Sequence, residues 1–223
     1  MPLRVLEPLT VTIRPPSIEA FQAQRLWVLP AQRLAICLTP KAACTSIKFA
    51  LHAAFGRPGD RYKDTRRRFR HGQAEWQPAE FLKVAPVRHP LERVRSCYAD
   101  KFAGGRLKVR GLIRMGCRPR MSFDEFCQLV ADTPDDRLDK HLVPQHYLVS
   151  SPLWGLADRL LRFEDLARQW AWLQGRYPAL PVLDRHNASR DKPDWSDATL
   201  ALIAERYRED LDLLDYGVPH GGR

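Results

Sequence analysis

Apolar positions along the chain fall into short unbroken runs that alternate with helical spacing. Residues 34–38 (Leu-Ala-Ile-Cys-Leu) form one such run and stop at Thr39-Pro40. After a few small residues, Ile47, Leu51, Ala54 and Phe55 recur on one helical face until Gly56. A second unit repeats the plan. Residues 81–87 form the run, Pro90 suits a first helical position, and Leu91, Val94, Tyr98 and Phe102 take core spacing. Pro86 cannot donate to a ladder, which predicts a strand end or an edge.

Further elements are predicted on either side. Residues up to about 31 read as irregular because Pro15, Pro16 and Pro30 interrupt them, with Trp27, Val28 and Leu29 as a candidate edge strand. Residues 107–120 read as a basic loop, and Ser122 as the cap of a short helix. Residues 160–163 form another short run leading into a helix with Leu166, Trp170 and Leu173. One last helix is predicted from Ser196 to Leu214. The alternation predicts an α/β fold with a mainly parallel sheet and helices on both faces.

Charge changes the picture. Lysine plus arginine total 36 against 26 aspartate plus glutamate, a net +10, which points to an anionic partner. Lys41 and Lys48 flank a predicted helix N-terminus, where the helix dipole disfavours cations. They are either solvated lysines or the counter-charges of an anion bound in a strand–turn–helix cradle. Arg88 occupies the second turn. The run 66–71 (Arg-Arg-Arg-Phe-Arg-His) reads as a solvated face or loop, or as a nucleic-acid contact. The five cysteines form no CxxC pair, and neither a signal-peptide pattern nor a bilayer-length apolar window is visible. These features predict a cytoplasmic protein with reduced thiols.

The first turn has no glycine and no Gly-Lys-Ser/Thr, which argues against an ATP-type P-loop. No carboxylate set for Mg²⁺ is apparent, so an anion here needs protein cations, with Lys41, Lys48 and Arg88 available.

Residues 39–48 (Thr-Pro-Lys-Ala-Ala-Cys-Thr-Ser-Ile-Lys) resemble the 5′-phosphosulfate loop of sulfotransferases that use 3′-phosphoadenylyl sulfate (PAPS). The similarity is to the carbohydrate, Golgi-type branch and its soluble bacterial relatives. Residues 87–102 (Val-Arg-His-Pro-Leu-Glu-Arg-Val-Arg-Ser-Cys-Tyr-Ala-Asp-Lys-Phe) resemble the same family's 3′-phosphate motif, with His89 where Asp or Asn is usual. Fainter echoes are residues 141–145, 162–166, Asn187 with Ser189, and Tyr216-Gly217, so the resemblance spans about 34–217.

The resemblance implies a single domain with a P-loop-NTPase-like sheet flanked by helices, and sulfuryl transfer from PAPS to an acceptor hydroxyl, most plausibly of a carbohydrate. It implies that Lys41, Ala42, Ala43, Cys44, Thr45, Ser46 and Lys48 hold the 5′-phosphosulfate and that Arg88 and Ser96 hold the 3′-phosphate, with no metal. Lys41 would also serve catalysis at the bridging oxygen. His71 is the first candidate base and His141 the second. Ser96 has the alternative of a back-bonded helix serine, and Arg93 is either a surface ion pair or a site residue. Glu164 reads as structural. The basic loop, residues 106–120, hints at an acidic acceptor. A kinase or NTPase on a related fold, and a basic nucleic-acid-binding module, are the competing readings.

Overall fold

The computed structural model describes residues 16–71, 74, 76–102, 107–152, 155–184 and 192–218. Its centre is a four-stranded sheet in the order β1-β2-β3-β6, formed by β1 (Leu26–Leu29), β2 (Leu34–Cys37), β3 (Leu82–Val87) and β6 (Arg159–Arg162). The β1–β2 pair is antiparallel; β2–β3 and β3–β6 are parallel. The mainly parallel α/β fold, with its flanking helices, matches the expectation from the alternating pattern.

The unbroken apolar runs arise because both sheet faces are covered. Trp27, Leu29, Leu34, Ile36 and Val84 face a core shared with α2 (Cys44–Phe55), α3 (Tyr62–His71) and α8 (Leu166–Arg176). Leu26, Val28, Ala35 and Cys37 face the opposite way, towards Leu148 of α7 (His146–Val149) and Phe21 of α1 (Pro16–Arg25). A further apolar cluster joins α4 (Pro90–Lys101), α5 (Arg110–Met115), α6 (Phe123–Asp132) and α9 (Asp197–Arg206). A small hairpin, β4 (Ser150–Ser151) with β5 (Gly155–Leu156), stands apart from the main sheet.

Several expectations are corrected. The segment before residue 31 is not irregular throughout: α1 begins at Pro16 and runs directly into β1. Proline is tolerated at the first position of a helix, so Pro16 marks a start and not a break. The basic run 66–71 lies on a helix, α3, which packs over edge strand β1 through Trp27 and Phe69, ring centroids 5.6 Å apart. One face of the edge strand is thereby covered. The predicted loop 107–120 contains α5.

Pro86 is the penultimate residue of the central strand β3, at the strand end that its missing donor predicts and not at a sheet edge, and it still pairs with Leu161. Along β3 the backbone of Leu82 bonds towards the β2 side and that of Lys83 towards the β6 side. Pro86, four residues after Leu82, therefore directs its missing N–H towards β2, past Ile36↔Val84, where that ladder ends. The loss falls where no bond is required.

Helix caps follow the sequence signals. Ser122 and Glu125 form a reciprocal capping box on α6, and Ser196 with Thr199 does so on α9. The last predicted helix is interrupted: α9 ends at Arg206 and α10 (Arg208–Leu213) resumes after Tyr207. The buried Tyr207 hydroxyl donates to the Leu142 carbonyl at 2.6 Å, a contact outside the helix pattern.

Candidate active site

The two strand–turn–helix units lie side by side because β2 and β3 are parallel neighbours, so both turns emerge at the same sheet edge. In the first turn, Lys41 (φ 68°) and Ala43 (φ 57°) are left-handed without being glycine. Such residues cost of order 1 kcal/mol each and are kept where geometry demands them. Left-handed residues in a turn at a helix start are one way successive N–H groups come to line an anion-sized concavity. No side chain caps α2, and Ile47 N–H, bonding back to Ala43 O at 3.1 Å, follows Cys44, Thr45 and Ser46 in the opening turn. Ala42 is buried beneath the turn, and Lys48 is half-buried one turn further on.

Arg88 stitches the two turns together. It is 7% exposed, and its Nη1 donates to the Lys41 carbonyl at 3.2 Å. Its guanidinium lies 4.3 Å from the Phe163 ring centroid, and Glu92 approaches Nη2 at 4.0 Å. Its buried Nε has no partner, nor has the buried hydroxyl of Thr39 in the first turn. Unpaired buried donors of this kind are expensive, and an anion between the turns would satisfy them. Burial lowers the Arg88 pKa, while Glu92 and Glu164 support its charge.

A polar scaffold holds Arg88 in place. Gln145 clasps its backbone from both sides: Arg88 N–H donates to Gln145 Oε1 at 3.0 Å, and Gln145 Nε2 donates to Arg88 O at 2.8 Å. Gln145 is in turn held by Asp210, fully buried, which accepts from the N–H groups of Gln145 and His146 at 2.7 Å each. Burial opposes ionisation of Asp210, but the contact with His146, the charge of Arg93 and the Gln145 N–H together outweigh that and keep its pKa below the ordinary value.

Glu164 accepts from His89 N–H at 2.8 Å and from Tyr216 OH at 2.7 Å, while His89 Nε2 meets Gly217 O at 2.8 Å. A carboxylate from another element thus serves the α4 N-terminus, where His89 makes no side-chain cap. Glu164 is structural, as its sequence context suggests.

Lys41 is 12% exposed at its side chain and pairs through Nζ with Asp100 Oδ2 at 2.9 Å; Lys101 shares that carboxylate at 2.7 Å. Burial raises the Asp100 pKa, yet hydrogen bonds from Lys101 and Lys41 bring it below the usual carboxylate range. Ser96 is buried on α4, 2% exposed. Arg93 is neither a surface ion pair nor an open site residue. Wholly buried, it donates to the carbonyls of His141, Leu142 and Val143 at 2.8, 3.2 and 2.7 Å.

Those carbonyls carry His141, whose Nδ1 lies 2.5 Å from Asp139 Oδ1. The contact orients the ring and directs Nε2 away from the carboxylate. Burial lowers the His141 pKa; Asp139 opposes this, and Lys101 and Lys140 add to it. Gly111 makes room for Asp139, since a Cβ there would sit 1.9 Å from Asp139 Oδ2. The other candidate base, His71, ends α3, but its side chain lies outside the described residues, as do Asn187 and Ser189.

Sequence reasoning passed over Asp210, Asp139 and Arg25. Asp210 gave no local signal, because an acidic residue on an amphipathic helix ordinarily faces water. Among the described residues no group of His, Cys, Asp or Glu is arranged to hold a metal ion, and no helix is long and apolar enough to cross a membrane. All five cysteines are unpaired.

No curated protein and no solved structure matches the chain. A family model does, that of the sulfotransferase family, over residues 24–217, which takes in both turns, the Gln145–Asp210 scaffold and Tyr216. With both turns inside the matched region, the chain belongs to the sulfotransferase family, whose enzymes transfer sulfuryl groups.

Proposed function

We propose that this sulfotransferase takes its sulfuryl group from PAPS and delivers it to a hydroxyl of a carbohydrate. The observation that carries the reading is the Arg88 Nη1 bond to Lys41 O, which sets the two anion-binding turns at a fixed separation. A donor with phosphates at its 5′ and 3′ ends needs two such turns. Lys41, Ala42, Ala43, Cys44, Thr45, Ser46 and Lys48 hold the phosphosulfate, and Arg88 with Ser96 holds the 3′-phosphate. The cations available account for the charge without a metal. Five unpaired cysteines support a reducing, cytoplasmic setting.

The acceptor oxygen attacks sulfur as the bond from sulfur to the bridging phosphate oxygen breaks. The electron pair leaves with adenosine 3′,5′-bisphosphate, and Lys41 stabilises the charge growing on that oxygen. The acceptor proton passes to a histidine. The Asp139 contact supports His141 in this role: Asp139 accepts a hydrogen bond from Nδ1–H, leaving the Nε2 lone pair free to act as base.

Two outcomes test this reading. Adenosine 3′,5′-bisphosphate at about 100 times its Kd adds roughly 2.7 kcal/mol of stability, a rise in Tm of about 5–10 °C for a domain of this size. ³⁵S-labelled PAPS incubated with glycan acceptors yields a labelled sugar. Absence of any shift at saturating nucleotide refutes the donor assignment, and label appearing only on non-sugar hydroxyls refutes the acceptor class.

The base assignment has its own test. His141→Ala lowers kcat by about 10²–10⁴-fold, more than His71→Ala does. Because the His141 pKa is lowered, the acid limb of kcat lies below the ordinary imidazole value of about 6.5. The sign for stability agrees. Between that value and the lower folded-state pKa, the unfolded chain binds a proton that folded His141 does not. Stability therefore rises with pH through this window, is lost as pH falls through it, and is unaffected by His141 above it. Normal turnover by His141→Ala transfers the role to His71.

A further inference from the structure

Three cations gather on one carboxylate where α4 begins. Glu92 holds the third position of that helix, and its Oε2 lies 2.9 Å from Nζ of Lys192, 100 residues further along the chain. Arg95 Nε lies 3.1 Å from Glu92 Oε1, and Arg88 Nη2 lies 4.0 Å from Oε2. Lys192 arrives from outside α4, on a segment whose Trp195 packs against Phe123 of α6 with ring centroids 4.9 Å apart. Burial opposes ionisation of Glu92, yet Lys192, Arg95 and Arg88 together hold its carboxyl below the usual range. Glu92 is therefore an anion at neutral pH.

The three contacts differ in kind. Lys192 and Arg95 are close enough for direct ion pairs. Arg88 is beyond hydrogen-bond reach and feels Glu92 through charge alone. Its guanidinium donates instead to the Lys41 carbonyl, and its buried Nε has no partner. Glu164, the other carboxylate that supports the Arg88 charge, is committed to His89 N–H and Tyr216 OH. Glu92 and Ser96 stand four residues apart on one face of α4. A negative side chain thus adjoins both residues proposed to hold the 3′-phosphate, and the motif resemblance gives it no part in binding.

From this geometry we infer that Glu92 is a positioning residue that gathers Lys192 and Arg95 beside the second turn and, by its own charge, limits the hold on the 3′-phosphate so that the bisphosphate product leaves. The inference rests on the PAPS reading of the two turns and deepens it. The 3′-phosphate takes no part in sulfuryl transfer and is the same in donor and product. Contacts to it bind both equally, so they leave the barrier of the bound complex unchanged and slow release. Arg88, Arg95 and Lys192 without a counter-charge would make a product trap. One carboxylate among them keeps the cations in place and repels the incoming phosphate.

The test compares calorimetric binding of adenosine 3′,5′-bisphosphate and of adenosine 5′-monophosphate, which lacks the 3′-phosphate, at about 0.15 M ionic strength. The ratio of the two affinities isolates the 3′-phosphate. Glu92→Gln keeps the shape and a polar end but loses the charge, and it raises that ratio by about tenfold or more. Displacement of bound bisphosphate, followed by stopped flow, slows by about the same factor, since the change lies in the dissociation rate. Glu92→Asp draws the carboxylate back by one methylene and raises the ratio by about threefold, which serves if the glutamine variant does not fold.

A ratio that is unchanged or lower in a folded variant overturns the inference, because Glu92 then only arranges the cations. Equal tightening of both nucleotides overturns it as well, since the effect would not belong to the 3′-phosphate. Failure of the PAPS reading shows in the wild-type protein alone: it binds neither nucleotide, or binds both equally, and the inference falls with that reading.

Discussion

Replacing Lys41 by alanine lowers sulfuryl transfer by about 10³-fold, and Arg88→Ala does at least as much; each also removes the rise in Tm produced by adenosine 3′,5′-bisphosphate. The two losses arise differently. Lys41 is the cation in the first turn beside the proposed leaving oxygen, and charge on that oxygen grows as the bond to sulfur breaks. A positioned donor in a partly buried site contributes more there than to ground-state binding. Arg88 contributes in two ways, through the charge it offers the 3′-phosphate and through its bond to Lys41 O, which holds the turns in register.

Stability separates the two variants. The Lys41–Asp100 pair is partly solvated, and Asp100 keeps Lys101 when Lys41 is removed. Lys41→Ala therefore costs only about 0–1 kcal/mol. Arg88→Ala leaves the Lys41 carbonyl without its donor and empties space beneath Phe163, so its Tm falls further. Turnover and nucleotide-dependent melting of the two variants provide the check. A Lys41→Ala enzyme within tenfold of wild type would remove Lys41 from the chemistry.

Arg93→Met is expected to destabilise the fold by about 3–5 kcal/mol, the range for removing one partner from a buried charged network. Methionine approximates the volume but leaves three consecutive carbonyls, those of His141, Leu142 and Val143, without their guanidinium donors. At roughly 2–4 °C per kcal/mol for a domain of this size, Tm falls by about 6–20 °C. Arg93→Lys recovers only part of the loss, because one ammonium cannot span the three carbonyls that the planar fork reaches. The same bonds position His141, so activity of the surviving folded protein also declines. Denaturant unfolding monitored alongside turnover measures both effects, and a loss under about 1 kcal/mol would contradict the geometry.

Most of the sheet and both turns were legible because their signals are local. An apolar run ending in Pro40 or before Pro90, followed by helical spacing, requires a strand, a turn and a helix whatever the remaining chain does. Ser122 and Ser196 likewise announced their helices through short-range caps. Basic charge and the two ordered motifs pointed to the phosphorylated donor proposed above. The failures were also physical. Pro16 was read as a break when it opened α1, because proline stops and starts helices with the same ring. Tyr207 interrupts the last helix at a residue whose hydroxyl bonds a distant carbonyl, and no periodicity reports such a contact.

By itself, the sequence determined the two strand–turn–helix units, the cations in each turn, and the α/β frame between them. Each depends on residues within one strand–turn–helix unit. Only the tertiary structure decided what those side chains do to one another. It joined Lys41 to Arg88, turned Arg93 inward to carry the His141 segment, and gave His141 its Asp139. The first two of these pairings cross 47 and 48 residues of chain, bringing together groups whose burial and charge are properties of their neighbours. A lysine in a turn is an even choice between surface and site until the fold places a second turn against it.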